Sequence, residues 1–150
     1  MPVLEIRKAG DKILKEVAAP IEKIDRKIKQ LLDDMAETMY AADGVGLAAP
    51  QVGVSLQLVV IDVGEGIIEL INPKIIAYEG SEVGTEGCLS VPGMYGEVER
   101  YAAVTVEALN RSGKKIRING SGLLARALQH ETDHLKGILF IELAKTLHKG

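Results

Sequence analysis

The stretch from Ser121 to Leu135 constrains this chain more than any other part of it. Leu123, Ala127, His130 and His134 stand at i, i+4, i+7 and i+11, the spacing of one helix face. Two histidines therefore occupy the stripe that apolar side chains ordinarily bury. Gly137 suits a stop, so the spacing predicts a helix from about Ser121 to Leu135. The remaining chain must cover that helix and give its inward imidazoles something to do.

A second amphipathic helix is expected after Asp25, a good N-cap, because Ile28, Leu31, Leu32, Met35 and Met39 recur at three- and four-residue spacing until Gly44. Between the two helices the pattern changes. Leu56 to Val63 is β-rich and bounded by glycines, and Ile67 to Asn72 and Lys74 to Tyr78 read as short strands on either side of Pro73. Gly80 to Gly96 holds five glycines and a proline, so it reads as a long loop of the kind that carries function. Val104, Val106 and Ala108 alternate with polar residues, and Asn110-Arg111-Ser112-Gly113 turns them into Lys115 to Asn119 as a hairpin. His148 falls in a tail expected to fray. The expected fold class is α+β, with short, mostly antiparallel sheets packed around a central helix that carries the two histidines, in one domain over residues 1–150.

An apolar content of 47% in 150 residues is enough for a core. Lys and Arg number 18 against 21 Asp and Glu, so no broad cationic surface exists for DNA or anionic lipid. Met1-Pro2-Val3-Leu4-Glu5-Ile6-Arg7 lacks the blocks of a secretory signal, and no apolar run approaches the roughly 20 residues that cross a bilayer. A cytoplasmic protein without DNA or membrane partners is expected. The single cysteine, Cys88, excludes an internal disulfide and suits a reducing compartment.

His130-Glu131-Thr132-Asp133-His134 puts two imidazoles one helical turn apart, where they can grip one metal ion. Glu131 then faces the ion's remaining side, where a carboxylate can take a proton from water and return it to a leaving amine. The bland alternative is a pair of hydrogen-bonded core histidines. A catalytic centre needs a third ligand, and its position decides the class of enzyme. In a metzincin-type zinc protease the motif continues to a third histidine; here Gly137 is in register but Phe140 stands at the ligand position. Glu142 is too close in sequence to serve as the downstream glutamate of a thermolysin-like site. Cys88 remains: a lone cysteine beside leucine is commonly core packing, but its glycine-rich surroundings favour a ligand. In Gly44-Val45-Gly46-Leu47-Ala48-Ala49-Pro50-Gln51, Gly44 and Gly46 allow main chain to approach a peptide, and Gln51 offers a neutral donor for an oxyanion; a helix stop and tight turn would use the same glycines.

Gly44 to Gln51, Glu86-Gly87-Cys88-Leu89-Ser90 and Gln129 to Gly137 resemble, in order and spacing, the three motifs of bacterial peptide deformylases. Ile71-Asn72-Pro73, Val91-Pro92-Gly93 and Gly122 to Ala125 extend the resemblance over nearly the whole chain. It implies a metal-dependent hydrolase that removes the N-formyl group from formyl-methionine of nascent peptides. By the same resemblance, Cys88, His130 and His134 hold one divalent ion, ferrous iron in the family, with Zn2+, Ni2+ or Co2+ as substitutes. Glu131 is the general base and acid, and Gln51 with the Leu89 N–H steadies the oxyanion. Val45, Gly46 and Gly87 pair with substrate main chain, Leu123 lines the methionine pocket, and Tyr95 is a more variable contact. A monomer with at most transient ribosome contact is expected, since the tail carries only Lys145 and Lys149 where many relatives have a basic docking helix. The competing readings are a zinc endopeptidase, whose third ligand is missing, and a silent metal-binding domain of the same fold.

Overall fold

The computed structural model describes residues 3–150; Met1 and Pro2, part of the segment read for a targeting signal, lie outside the described residues. Helix α1 spans Arg26–Ala41 and α2 spans Gly122–Leu135, and every pairing between the eight strands is antiparallel. The fold is α+β. The strands are β1 (Gly46–Ala48), β2 (Leu58–Ile61), β3 (Ile68–Glu79), β4 (Glu82–Cys88), β5 (Val91–Arg100), β6 (Ala103–Leu109), β7 (Lys115–Ser121) and β8 (Thr146–Lys149). They form a five-stranded sheet in the order β1-β2-β3-β6-β7 and a three-stranded sheet in the order β4-β5-β8.

Helix α1 begins, and both helices end, where short-range chemistry allows; Ser121 precedes α2 without a side-chain capping bond. The Asp25 carboxylate accepts from the Ile28 N–H at 3.0 Å and opens α1. At the end of α1 the Gly44 N–H reaches Met39 O and the Asp43 N–H reaches Tyr40 O, a paired C-terminal lock. Asp43, not Gly44, takes the left-handed conformation of that lock, at φ 57°. Gly44 is small for another reason: a Cβ there would lie 2.8 Å from the Leu89 side chain. Helix α2 closes with the same lock, from Ile138 to Asp133 and from Gly137 to His134, and here Gly137 does supply the positive φ, 76°.

The two helices cover opposite faces of the five-stranded sheet. Leu58, Val60 and Ile71 pack with Ile28, Leu32, Met35 and Met39 of α1, whereas Val59, Ile61 and Leu70 pack with Ala125, Ala127 and Leu128 of α2. That is why β2 reads Leu-Val-Val-Ile without alternation: all four residues are fully buried. The three-stranded sheet has a much smaller apolar contact, formed by Val91, Val98 and Phe140.

Three expectations are corrected. Residues 67–78 are not two strands but one, β3, kinked where the register shifts between Ile71 and Lys74. Asn72 sits in the kink at φ 54°, and its side chain exchanges two hydrogen bonds with the Ile21 backbone, which places Pro73 where no ladder donor is needed. Gly80 to Gly96 is not a loop but most of the β4–β5 hairpin. Its glycines answer to close neighbours, since a Cβ on Gly84 would meet Arg126, one on Gly87 would meet Tyr95 and one on Gly96 would meet Ala144. Finally, the tail does not fray: β8 adds to β5, with Tyr95 opposite His148.

Candidate metal centre

Strand β4 ends at Cys88 directly against α2. The Cys88 sulfur lies 3.4 Å from His134 Nε2, and one ligand atom from each of Cys88, His130 and His134 lies within 4.8 Å of the other two. A tetrahedral ion with bonds of about 2.0–2.3 Å sets its sulfur and nitrogen ligands roughly 3.5 Å apart, so the spacing fits. Both imidazoles are buried, and their rings meet edge to face at 5.0 Å. The three residues expected to be ligands therefore converge, and a soft thiolate with two imidazoles suits a divalent ion of the first transition series or zinc.

The surroundings prepare that donor set. His130 Nδ1 is 3.0 Å from the Glu86 carboxylate, which turns its other nitrogen toward Cys88. Burial lowers the basicity of His130, but Cys88 and Glu86 outweigh it and raise its pKa to about 10, so this position attracts positive charge. Burial holds His134 well below its ordinary value, as a neutral ligand requires. Glu86 is itself buried, which opposes ionisation, yet hydrogen bonds from Arg100 and His130 pull it down to about 2. Its two oxygens take four donors: Arg100 through Nε at 2.8 Å and Nη2 at 2.9 Å, Arg126 at 2.7 Å and His130. Arg100 also donates to Asp133 at 2.5 Å.

Glu131 is 4% exposed and its Oε1 has no hydrogen-bond partner. Burial is the main reason its pKa rises to about 7, with the nearby His130 charge opposing the rise. A carboxylate poised near neutrality and aimed into a cavity can exchange protons in both directions. Gly46 makes room for it, since a Cβ there would lie 2.5 Å from Glu131 Oε2.

Gln51 is fully buried in a 3₁₀ turn, Ala49–Val52, that follows β1. Its Oε1 accepts from the Ala48 N–H at 2.9 Å, which leaves the amide NH2 facing Ser90 Oγ at 3.1 Å and the Cys88 sulfur at 3.6 Å. The segment for which a helix stop and tight turn was the alternative thus contains a short edge strand and an anchored amide donor.

A cavity of about 500 Å³ opens beside these groups. Val45, Gly46, Gln51, Gly87, Cys88, Leu89, Leu123, His130 and Glu131 line it, so the structure gathers the expected site residues around one space, with His134 directly behind. Leu123, placed by its spacing on the buried stripe, is 54% exposed because it faces this cavity rather than the core. Tyr95 also lines it and stacks against His148. Phe140, at the position of a metzincin's third histidine, stacks on the His130 ring at 6.0 Å and offers no ligand. Glu142 pairs with Lys15 and the Leu139 N–H instead.

Sequence reasoning missed the role of Arg100 and Arg126 and left Glu86 as a motif letter. For Glu86 a signal existed, since a carboxylate two residues from a metal ligand needs cationic partners, but nothing in the sequence pointed to Arg100 and Arg126 as those partners.

The family model described as polypeptide deformylase matches residues 3–150. The chain is 62% identical over 142 residues to a peptide deformylase of Acetivibrio thermocellus, covering 95% of this chain and 84% of that one. It is 59% identical over 147 residues to that of Carboxydothermus hydrogenoformans, covering 98% and 97%. Among solved structures, the peptide deformylase of Thermotoga maritima superposes with a TM-score of 0.95 at 42% identity, over 97% of this chain and all of that one. The Synechococcus elongatus peptide deformylase in complex with actinonin gives 0.94 at 45% identity, over 97% and 81%. With its family model matched from residue 3 to residue 150 and a cysteine and two histidines converging beside a buried glutamate, the chain belongs to the polypeptide deformylase family.

Proposed function

We propose that this protein removes the formyl group from the N-terminal formyl-methionine of newly made proteins, releasing formate. The observation that carries the reading is the convergence of Cys88, His130 and His134 beside a buried, unpartnered Glu131 at the wall of one cavity. In this reading Cys88, His130 and His134 hold one divalent ion, Fe2+ natively. When bound, the ion supplies Lewis acidity, lowering the pKa of water and polarising the formyl carbonyl.

The chain's own residues do the rest. Glu131 takes the proton of the attacking water and later delivers it to the amide nitrogen as the C–N bond breaks, so formate and a free methionine amine separate. Its pKa of about 7 makes both transfers accessible at neutral pH. The Gln51 NH2, held by the Ala48 N–H, and the Leu89 N–H donate to the developing oxyanion. Strands β1 and β4 are each the outer strand of their sheet, and both border the cavity. Main chain at Val45, Gly46 and Gly87 can therefore pair with an extended peptide whatever its sequence. Leu123 lines the pocket for the methionine side chain.

The 150 residues act as one catalytic unit, a cytoplasmic monomer that meets formylated chains at or near the ribosome. Among the described residues no helix is long and apolar enough to cross a membrane. The test is formate release from formyl-Met-Ala-Ser by anaerobically prepared, iron-replete protein. Release that disappears in Glu131→Ala supports the reading, and exposure to air should abolish it faster for the iron form than for the nickel form. Absence of formate release from the replete wild type contradicts it, as does cleavage of internal peptide bonds.

A further inference from the structure

The three metal-ligand residues come from two parts of the fold that share little apolar contact. His130 and His134 ride on α2, whose buried apolar residues pack on the five-stranded sheet, while Cys88 ends β4 in the three-stranded sheet. The apolar cluster of the smaller sheet, Val91, Val98 and Phe140, includes no residue of α2. Besides the stacking of Phe140 on the His130 ring, hydrogen bonds of Glu86, Arg100 and Arg126 join the hairpin to α2 and can set the distance between the thiol and the imidazoles.

We propose that Arg126 is a positioning residue for the metal centre, fastening the hairpin that carries Cys88 to the helix that carries His130 and His134. The inference rests on those three residues being the ligands. Arg126 lies one turn before His130 on α2, and its guanidinium reaches both strands of the hairpin. Nη1 donates to Glu86 at 2.7 Å and to Val98 O at 2.9 Å, and Nη2 donates to Glu82 O at 3.1 Å. It lies flat on the backbone at Gly84, where an added Cβ would sit 2.9–3.1 Å from three guanidinium atoms. The Glu86 carboxylate that it fixes also orients the His130 ring. One side chain thus spans β4, β5 and the residue that orients a ligand. A planar fork suits this task and an ammonium does not, because the acceptors lie in different directions.

The experiment follows the metal rather than the reaction. Full-length protein is loaded with zinc, and the rate of zinc transfer to excess chelator is measured for wild type, Arg126→Met, Arg126→Lys and Gly84→Ala. Urea unfolding of the metal-stripped proteins runs in parallel. Arg126→Met keeps the stem and loses the fork, so release should accelerate by about 10- to 100-fold, the usual cost of losing a partner that orients a ligand. Arg126→Lys should recover part of the loss. Gly84→Ala, which displaces the guanidinium from the hairpin side, should move release in the same direction by less. A purely structural role would shift the urea midpoint and leave release unchanged; release by Arg126→Met within about twofold of wild type overturns the proposal. Should Arg126→Met fail to fold, an unchanged rate in both Gly84→Ala and Arg126→Lys overturns it equally. Wild type that binds zinc but, when iron-replete, releases no formate would sink the deformylase reading and leave this one standing; wild type that binds no zinc sinks both.

Discussion

The two sheets meet at the metal site but are held by different forces. The five-stranded sheet is closed on both faces by helices, and residues such as Leu32, Leu58, Leu70 and Leu128 are fully buried. The three-stranded sheet has only Val91 and Val98 as buried apolar residues, backed by Phe140, and is tied to α2 by a charged network of Glu86, Arg100, Arg126, Asp133 and His130. Apolar burial is non-directional and makes a firm base; charge-assisted hydrogen bonds are directional and make an accurate one. The difference teaches that in this protein stability and ligand geometry are assigned to separate sets of residues, which substitutions can pull apart.

The largest effect should leave both sheets intact. Glu131→Gln removes a buried carboxylate with an unpartnered oxygen, so formate release should fall by about 10²- to 10⁴-fold while the urea midpoint holds or rises. Leu70→Ala attacks the larger sheet on the face covered by α2, where the lost methylenes leave a cavity; about 4 kcal/mol should be lost in urea unfolding, with zinc still bound by the folded fraction. Arg100→Met attacks the smaller sheet. Glu86 keeps Arg126 and His130 but Asp133 loses its partner, so about 3 kcal/mol should go, and faster hydrogen exchange should be confined to β4 and β5. Equal acceleration in β2 and β3 would erase the contrast between the sheets.

Acid should separate them most gently. The folded pKa of Glu86, about 2, lies below its ordinary 4.5, so its ionised form contributes stability in full above about pH 4.5 and loses it as pH falls toward about 2. In the metal-free protein, NMR signals of β4 and β5 should broaden or shift across that window before those of β2 and β3. Simultaneous loss of both sets would show that the network contributes little.

The same division explains what could be read in advance. Apolar periodicity announces elements that pack by burial, so both helices, the Val104–Asn119 hairpin and the inward histidines were legible. The smaller sheet carries no such signal: Glu82 to Cys88 alternates around glycines that admit Arg126 and Tyr95, and those neighbours are distant in sequence. A glycine placed for close approach looks, in sequence, the same as one placed for a turn. His148 and its tail were misjudged because β8 is exposed throughout and held by pairing to β5. Cys88, Gln51 and Gly46 were recognised through the joint spacing of three motifs. Arg100 and Arg126 lie outside the motif residues, and only the folded chain shows them converging on Glu86.

Zinc-edge X-ray absorption of the loaded protein reads the donor atoms around the ion themselves. One sulfur at about 2.3 Å and two imidazole nitrogens at about 2.0–2.1 Å are expected, with the sulfur lost in Cys88→Ala. A first shell of nitrogen and oxygen alone in the wild type would contradict it.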